Sequence, residues 1–178
     1  MREILKAMED KLREFFKTDF PDAVIREDFF RNQLSFYIRK EYLFDICKSL
    51  QKHPDFAFNF LMDICSLDWL DHPEAADGRF EVIYNLFSLK NRYRFFLKVK
   101  LSNEKPEIDS LTYLWHTADW LEREVYDLMG IIFIGHPDLQ KIVTPDELEG
   151  FPLRKDFPLT YEVPQFSYNK DEPPELIL

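Results

Sequence analysis

Residues 79–101, RFEVIYNLFSLKNRYRFFLKVKL, decide the fold class. Apolar and polar side chains alternate along both halves, which is the pattern of strands with one buried face. The side chains predicted to be buried are Phe80, Val82, Tyr84, Leu86, Tyr93, Phe95, Leu97 and Val99. Only the short link Lys90-Asn91 separates the two halves, so the stretch predicts an antiparallel hairpin.

The flanking sequence predicts helices that interrupt further strands. Helical spacing of apolar residues appears in residues 3–16 and again in residues 41–53. Residues 23–27 and 33–40 are predicted strands, and residues 56–70 favour a buried strand followed by an irregular edge. The alternation in the second of these strands predicts that Leu34, Phe36 and Ile38 face the core, whereas Ser35, Tyr37 and Arg39 face solvent.

These elements predict an α+β fold in two layers, with helices packed on a mainly antiparallel sheet. Residues 102–109 are predicted to be a loop, and the periodic pattern fades after about residue 144. We therefore expect an α+β domain over residues 1–143 and an extended, Pro-rich tail over residues 144–178. The tail carries aromatic residues but cannot bury a core of its own, so we expect it to wrap a partner.

Composition excludes several classes of function. The formal net charge is −10, which repels nucleic-acid phosphates and anionic lipid headgroups. No apolar run reaches the roughly 18–20 residues that span a bilayer, and the N-terminus lacks the features of a signal or transit peptide. We expect a soluble intracellular protein that binds no nucleic acid and that associates with a membrane only through partners.

Two cysteines, Cys47 and Cys65, are present, and neither belongs to a CxxC pair. This spacing argues against an iron–sulfur or zinc site built by this chain alone. Both lie among apolar residues, and both are expected to be reduced, buried and small hydrophobic side chains.

Charged residues and histidines concentrate in residues 115–142, WHTADWLEREVYDLMGIIFIGHPDLQKI. A metal site is disfavoured, because His116 and Asp119 give only a weak match to helical ligand spacing and His136 lies beyond the expected helix end. Glu122 and Glu124 diverge by about 200° on a helix, so they do not form a catalytic carboxylate pair. No nucleophile elbow or phosphate-binding glycine loop is recognisable.

The same stretch is well explained as a helix that packs on the sheet. Ala118, Leu121, Val125 and Leu128 are the side chains predicted to face the sheet. Thr117 or Asp119 is the expected N-terminal cap, and Gly130 is placed for a left-handed C-terminal cap. A strand-like segment follows the glycine, and His136-Pro137-Asp138 is predicted to be a turn.

Residues 120–159 resemble the signature region of the 30-kilodalton subunit family, the C subunit of the proton-pumping NADH:quinone oxidoreductase, complex I. The matching positions are Glu122-Arg123-Glu124, Asp127, Gly130-Ile131, Gly135 to Leu139, Lys141-Ile142, Pro145-Asp146, Glu149-Gly150 and Pro152 to Leu159. The hairpin of residues 79–101 looks like the two strands that precede this region in the family. So many fixed positions in 40 residues are far more specific than a short motif.

The resemblance implies a cofactor-free subunit of the peripheral arm, on the cytoplasmic side of the bacterial inner membrane. NADH, FMN, the iron–sulfur clusters and quinone would belong to the assembled complex, and the isolated chain would be inactive. The implied partners are the D subunit, which helps to form the quinone site, and the neighbouring iron–sulfur subunits. The chain would support assembly and brace the D subunit during electron transfer from NADH to quinone coupled to proton translocation.

No catalytic, cofactor or metal residue is assigned, and the signature residues are expected to dock partners. They are Glu122, Arg123, Glu124, Asp127, Gly130, Gly135, His136, Pro137, Asp138, Arg154, Lys155 and Asp156. Two alternatives stay open. The first is the equivalent subunit of a membrane-bound hydrogenase or formate hydrogenlyase-type complex, and the second is a free-standing acid–base or metal enzyme that uses His136 and Glu124.

Overall fold

The computed structural model describes the backbone of residues 2–160 and the side chains of residues 6–160. The helices are α1 (Arg2–Asp19), α2 (Leu43–Lys52) and α3 (Ala118–Met129). The strands are β1 (Val24–Phe30), β2 (Gln33–Ile38), β3 (Phe60–Asp68), β4 (Phe80–Ser88), β5 (Tyr93–Leu101), β6 (Glu107–Asp109) and β7 (Ile132–Ile134). Residues 161–178 of the predicted tail lie outside the described residues, so the partner-wrapping role of that part stays a prediction.

One five-stranded sheet, in the order β1-β2-β5-β4-β3, forms the centre of the fold. Strands β4 and β5 pair antiparallel from Phe80 opposite Leu101 to Ser88 opposite Tyr93, which confirms the predicted hairpin. Strand β2 pairs parallel with β5, and the other neighbours are antiparallel. The α+β class and the mainly antiparallel sheet are therefore confirmed.

The helical side of the sheet holds a core that is rich in phenylalanine. Phe16 of α1 packs on Phe36 of β2 with the ring centroids 4.5 Å apart, and Phe36 lies 5.8 Å from Phe95 of β5. The buried residues of α2 are Leu43, Ile46, Cys47 and Leu50, as their spacing predicts. Such aromatic contacts add specific edge and tilted geometries to the burial of apolar area.

The opposite face of the sheet is more covered than the alternation predicts. Ser35 and Tyr37 of β2 are buried, although their positions in the alternation predict exposure to solvent. The reason lies in the long side chains beside them, because the Arg26 guanidinium stacks 4.1 Å from the Tyr37 ring centroid and the Lys98 ammonium lies 5.0 Å from it. Alternation identifies the two faces of the strand but does not show which polar side chains cover one of them.

Two further expectations are corrected. Residues 107–109, predicted to be part of a loop, form β6, which pairs parallel with β7 in a separate two-stranded sheet. A three-residue strand is too short to show a period, which is why the pattern missed it. Cys47 is buried as predicted, but Cys65 is exposed on β3.

Candidate functional site

Helix α3 packs mainly on β3, and the face that it buries differs from the predicted stripe. Ala118 and Val125 are buried as predicted, whereas Leu121 is only partly buried. Glu122 and Met129 complete the buried face instead. The spacing 118, 122, 125 and 129 has the same helical period as the predicted stripe. The helix is, however, rotated about its axis so that Glu122, rather than Leu121, faces the core.

Glu122 lies inside the domain with no exposed surface. Its Oε1 atom accepts a hydrogen bond from the backbone N–H of Leu111 at 2.7 Å. Burial raises the pKa of this carboxyl to about 7, although the Leu111 N–H and the Ser110 hydroxyl act in the opposite direction. This position corrects the expectation that Glu122 belongs to an exposed docking array.

Asp127 is also buried, and it organises the chain that follows β7. Its Oδ2 atom accepts the backbone N–H groups of Ile142, Val143 and Thr144 at 2.9, 2.7 and 2.9 Å. The Thr144 hydroxyl donates to Oδ1. Burial alone would raise the pKa of Asp127, but these donors outweigh it and lower the pKa. Asp127 is therefore an internal bracket, meaning that its carboxylate holds residues 142–144 against α3. This position corrects its predicted role as a docking side chain.

The outer surface of α3, defined here as Trp120, Arg123 and Glu124, faces away from the core. These positions are spaced i, i+3 and i+4, so they lie on one side of the helix. Trp120 is 64% exposed, and the Arg123 guanidinium lies 5.4 Å from its ring centroid. Arg123 Nε donates to the Gln140 carbonyl at 3.1 Å, and no carboxylate of residues 6–160 forms an ion pair with Arg123.

Gly130 ends α3 in the left-handed region, with φ 70° and ψ 29°, which confirms the predicted cap. A Cβ atom at this position would lie 2.4 Å from the Phe151 ring and 2.6 Å from the Arg154 guanidinium. Arg154 Nε donates to the Met129 carbonyl at 2.8 Å, and its guanidinium stacks on Phe80 and Phe151. Arg154 thus donates a hydrogen bond to a carbonyl of the last helical turn, where no backbone N–H of the helix is available to do so.

The PLRKD segment, residues 152–156, returns to the end of the β3–β4 hairpin. Arg79 makes a two-pronged contact with Asp68 at 3.0 and 2.8 Å, and it also pairs with Asp156 at 2.8 Å. The Lys155 N–H donates to Asp68 at 2.9 Å, and the Lys155 ammonium donates to the Leu70 carbonyl at 3.1 Å. These contacts tie the segment to its own domain, but Lys155 and Asp156 remain exposed, so the docking role expected of Arg154, Lys155 and Asp156 stays a prediction.

The His-Pro-Asp turn, residues 136–138, is pinned to the start of α3. The Asp138 N–H donates to His136 Nδ1 at 3.1 Å, so the ring proton resides on Nε2. That nitrogen lies 3.1 Å from the Asp119 carbonyl and bonds to it. Gly135 precedes the turn with φ 82° in open space, and Pro137 and Asp138 are exposed. The predicted turn is confirmed, and His136 holds it against the helix.

The start of α3 lies where it was predicted, but the expected capping hydrogen bond is not made. Thr117 occupies the cap position but has helical backbone angles and makes no side-chain cap hydrogen bond. Its hydroxyl instead donates to the Leu61 carbonyl of β3 at 3.3 Å. Sequence reasoning also missed Asp68 and Arg79, because the two side chains are brought together only in the folded sheet.

Two negative findings apply to the described part of the chain, whose side chains are those of residues 6–160. No group of three or more His, Cys, Asp and Glu side chains in this part of the chain is arranged to hold a metal ion. None of its helices is long and apolar enough to cross a bilayer.

The comparisons with known proteins agree on one family. The family profile described as "Respiratory-chain NADH dehydrogenase, 30 Kd subunit" matches residues 36–163. The C subunit of NADH-quinone oxidoreductase from Roseiflexus sp. (strain RS-1) is 43% identical over 158 residues, which cover 89% of this chain and 88% of the relative. NADH-quinone oxidoreductase subunit 5 of Thermus thermophilus is 53% identical over 108 residues, which cover 58% of this chain and 52% of the relative.

Solved structures give the same fold. The trypsin-resistant fragment (1-134) of Nqo5 aligns with a TM-score of 0.61 at 35% identity, covering 74% of this chain and 98% of the fragment. A chain of the archaeal membrane-bound sulfane sulfur reductase aligns with a TM-score of 0.68 at 20% identity, covering 86% of this chain and 87% of that chain. At that identity the second likeness shows the fold alone.

These matches define the class as a subunit of a respiratory oxidoreductase complex. The chain belongs to the 30 kDa subunit family of the respiratory-chain NADH dehydrogenase, complex I, whose bacterial members are the C subunits of NADH-quinone oxidoreductase.

Proposed function

We propose that the chain is a cofactor-free structural subunit of the peripheral arm of NADH:quinone oxidoreductase. It supports assembly and braces the D subunit, which forms the quinone site, beside the iron–sulfur subunits. Electrons pass through those neighbours on the way from NADH to quinone. The chain is held at the cytoplasmic side of the bacterial inner membrane by its partners, and alone it has no oxidoreductase activity.

The outer surface of α3 carries this proposal. Trp120 is a large aromatic side chain that is 64% exposed, although the interior of this domain readily buries aromatic rings. The Arg123 guanidinium beside it bonds the Gln140 carbonyl but forms no ion pair with the described carboxylates, so its remaining N–H groups can bind a partner's carboxylate. Exposed Trp and Arg side chains held in one place are typical of the residues that contribute most to the affinity of an interface. Arg123 and Glu124 therefore keep the docking role, which we extend to Trp120.

Co-purification tests the proposal. A tagged chain expressed at native level is expected to bring down the iron–sulfur and membrane subunits of the complex. Trp120→Ala and Arg123→Ala are each expected to weaken this recovery while leaving the melting temperature of the free chain within about 2 °C of the wild-type value. A wild-type chain that recovers none of these subunits would overturn the structural-subunit role.

Phe30→Ala is a matched control, because Phe30 is a 65% exposed aromatic side chain on β1, at the opposite edge of the sheet from β3. Equal recovery with all three variants and the wild type would leave the subunit role intact but refute docking through the outer surface of α3. The same pull-down separates the hydrogenase-type alternative, since a large partner that carries nickel would favour that alternative. The identities to NADH-quinone oxidoreductase subunits favour the first proposal.

A further inference from the structure

Glu122 and Tyr84 are fully buried polar side chains beneath α3, and docking uses neither of them. Among the described side chains, those of residues 6–160, Glu122 Oε2 and the Tyr84 hydroxyl have no hydrogen-bond partner. The other carboxyl oxygen, Oε1, accepts the Leu111 N–H at 2.7 Å. Oε1 therefore already accepts a hydrogen bond, whereas Oε2 is the oxygen that can carry a proton.

The groups that surround Glu122 supply no positive charge. Asp119 lies on the same helix and disfavours a second negative charge at Glu122. Burial is the main cause of the raised pKa of the Tyr84 phenol on β4, and the nearby Glu122, Cys47 of α2 and Asp109 of β6 raise it further. No lysine, arginine or histidine of the described residues forms an ion pair with Glu122. Each neighbour is therefore neutral or negative.

We propose that Glu122 is an internal proton-binding site, whose carboxyl holds a proton on Oε2 in the folded chain and releases it when α3 separates from residues 110–112. A buried carboxylate with no cation beside it is unfavourable even with the Leu111 N–H and the Ser110 hydroxyl nearby, so protonation is the means by which this group stays buried. The neutral acid keeps Oε1 as the acceptor for Leu111. Ionisation adds an uncompensated charge beneath α3 and favours exposure of the side chain.

The consequence is a pH-sensitive attachment of α3 to the segment before it. The pKa of Glu122 is about 7 in the folded chain, above the ordinary glutamate value of about 4.5. A folded-state pKa that is raised stabilises the fold most at acidic pH, and this stabilisation is lost as the pH rises toward and through about 7. The attachment is therefore expected to loosen mainly between about pH 4.5 and about pH 7, independently of whether the chain docks as proposed.

Nuclear magnetic resonance of the purified full-length chain tests the site without any variant. The Leu111 amide donates directly to the Glu122 carboxyl, so its chemical shift reports ionisation of that group. We expect a titration midpoint near pH 7 at this amide, matched by one carboxyl carbon signal in a sample labelled in its glutamate side chains. A midpoint in the ordinary glutamate range at Leu111 would overturn the proposal.

Two variants assign the signal and measure its effect on stability. Glu122→Gln keeps an acceptor for Leu111 and replaces the acidic O–H by an N–H, so it mimics the protonated form. The high-midpoint signal should vanish in this variant and persist in Glu124→Gln, which changes an exposed residue of the same helix. In urea unfolding from about pH 5.5 to about pH 8, the unfolding constant of the wild type should rise roughly 10- to 30-fold relative to that of Glu122→Gln. An unchanged ratio would refute the proton site.

Discussion

Asp68 and Arg79 join the ends of β3 and β4 through two parallel hydrogen bonds of 3.0 and 2.8 Å. The same carboxylate accepts the backbone N–H of Lys155, and the same guanidinium pairs with Asp156. One ion pair thus fastens the PLRKD segment to the central sheet. This part of the predicted tail is therefore attached to the domain, and the wrapping of a partner by the rest of the tail stays a prediction.

Asp68→Asn is expected to destabilise the folded chain by about 2 kcal/mol at pH 7, since it weakens several hydrogen bonds to a charged group. Burial alone would raise the pKa of Asp68, but Arg79 and two backbone N–H groups hold it at about 2. A lowered pKa stabilises the fold above the unfolded-state value of about 3.8, and this contribution is lost as the pH falls toward about 2. Urea unfolding at about pH 7 and about pH 3 should therefore show a larger difference between variant and wild type at the higher pH.

Asp146→Asn is the control for this prediction, because Asp146 is exposed. It should leave the free energy of unfolding unchanged at both pH values. A loss with Asp68→Asn that does not depend on pH would show that the charge of Asp68 contributes little and that only its shape matters.

Gly130→Ala is expected to destabilise the chain by roughly 2–5 kcal/mol. The left-handed backbone alone costs about 1–2 kcal/mol for a residue with a side chain, and overpacking adds roughly 1–3 kcal/mol. The added methyl group would lie 2.4 Å from the Phe151 ring. Gly135→Ala separates the backbone cost from the overpacking cost, since Gly135 has φ 82° but no atom within 4 Å of the added carbon.

Thermal and urea unfolding of both glycine variants measures the difference. Gly135→Ala should lose only about 1–2 kcal/mol, which is the backbone term alone. Equal losses in the two variants would mean that Phe151 and Arg154 move aside without a free-energy cost.

Asp127→Ala is expected to release residues 142–144 from α3. Three backbone N–H groups would lose their acceptor, and a net loss of about 2 kcal/mol is expected because water replaces part of the bonding. Asp127→Asn retains one oxygen acceptor and should lose less. Amide hydrogen exchange of residues 142–144 is the direct measurement, and protection that is unchanged in Asp127→Ala would refute the bracket.

Local patterns predict local elements in this chain. The hairpin of residues 79–101 and the cap at Gly130 follow from alternation and from the position of a single glycine. The buried face of α3 cannot be predicted in this way, because a stripe through Leu121 and a stripe through Glu122 fit the helical period equally well. The Leu111 N–H selects the second stripe, since it requires an acceptor that only the folded chain brings to it.

The contacts of the PLRKD segment lie further beyond local reasoning. The Lys155 N–H and Asp68 are 87 residues apart in sequence, and no periodic pattern connects them. Charge and proline content predict an exposed tail, which is the usual meaning of such composition. The segment is held instead by ion pairs and backbone hydrogen bonds, whose partners come together only once the sheet has formed.

Arg154→Lys is expected to loosen the end of α3, although it preserves the charge. The Arg154 guanidinium donates to the Met129 carbonyl at 2.8 Å while it lies 4.3 Å from the Phe151 ring centroid and 4.8 Å from that of Phe80. A lysine ammonium is not planar, so it cannot stack between the two rings and donate to the Met129 carbonyl at the same time. We expect a loss of about 1–2 kcal/mol in urea unfolding, with faster exchange of the Gly130 amide. Lys155→Arg, a charge-preserving change one residue away, is the control and should have little effect. Equal losses in the two variants would show that general crowding of the PLRKD segment, rather than the contacts of Arg154, determines the stability of the segment.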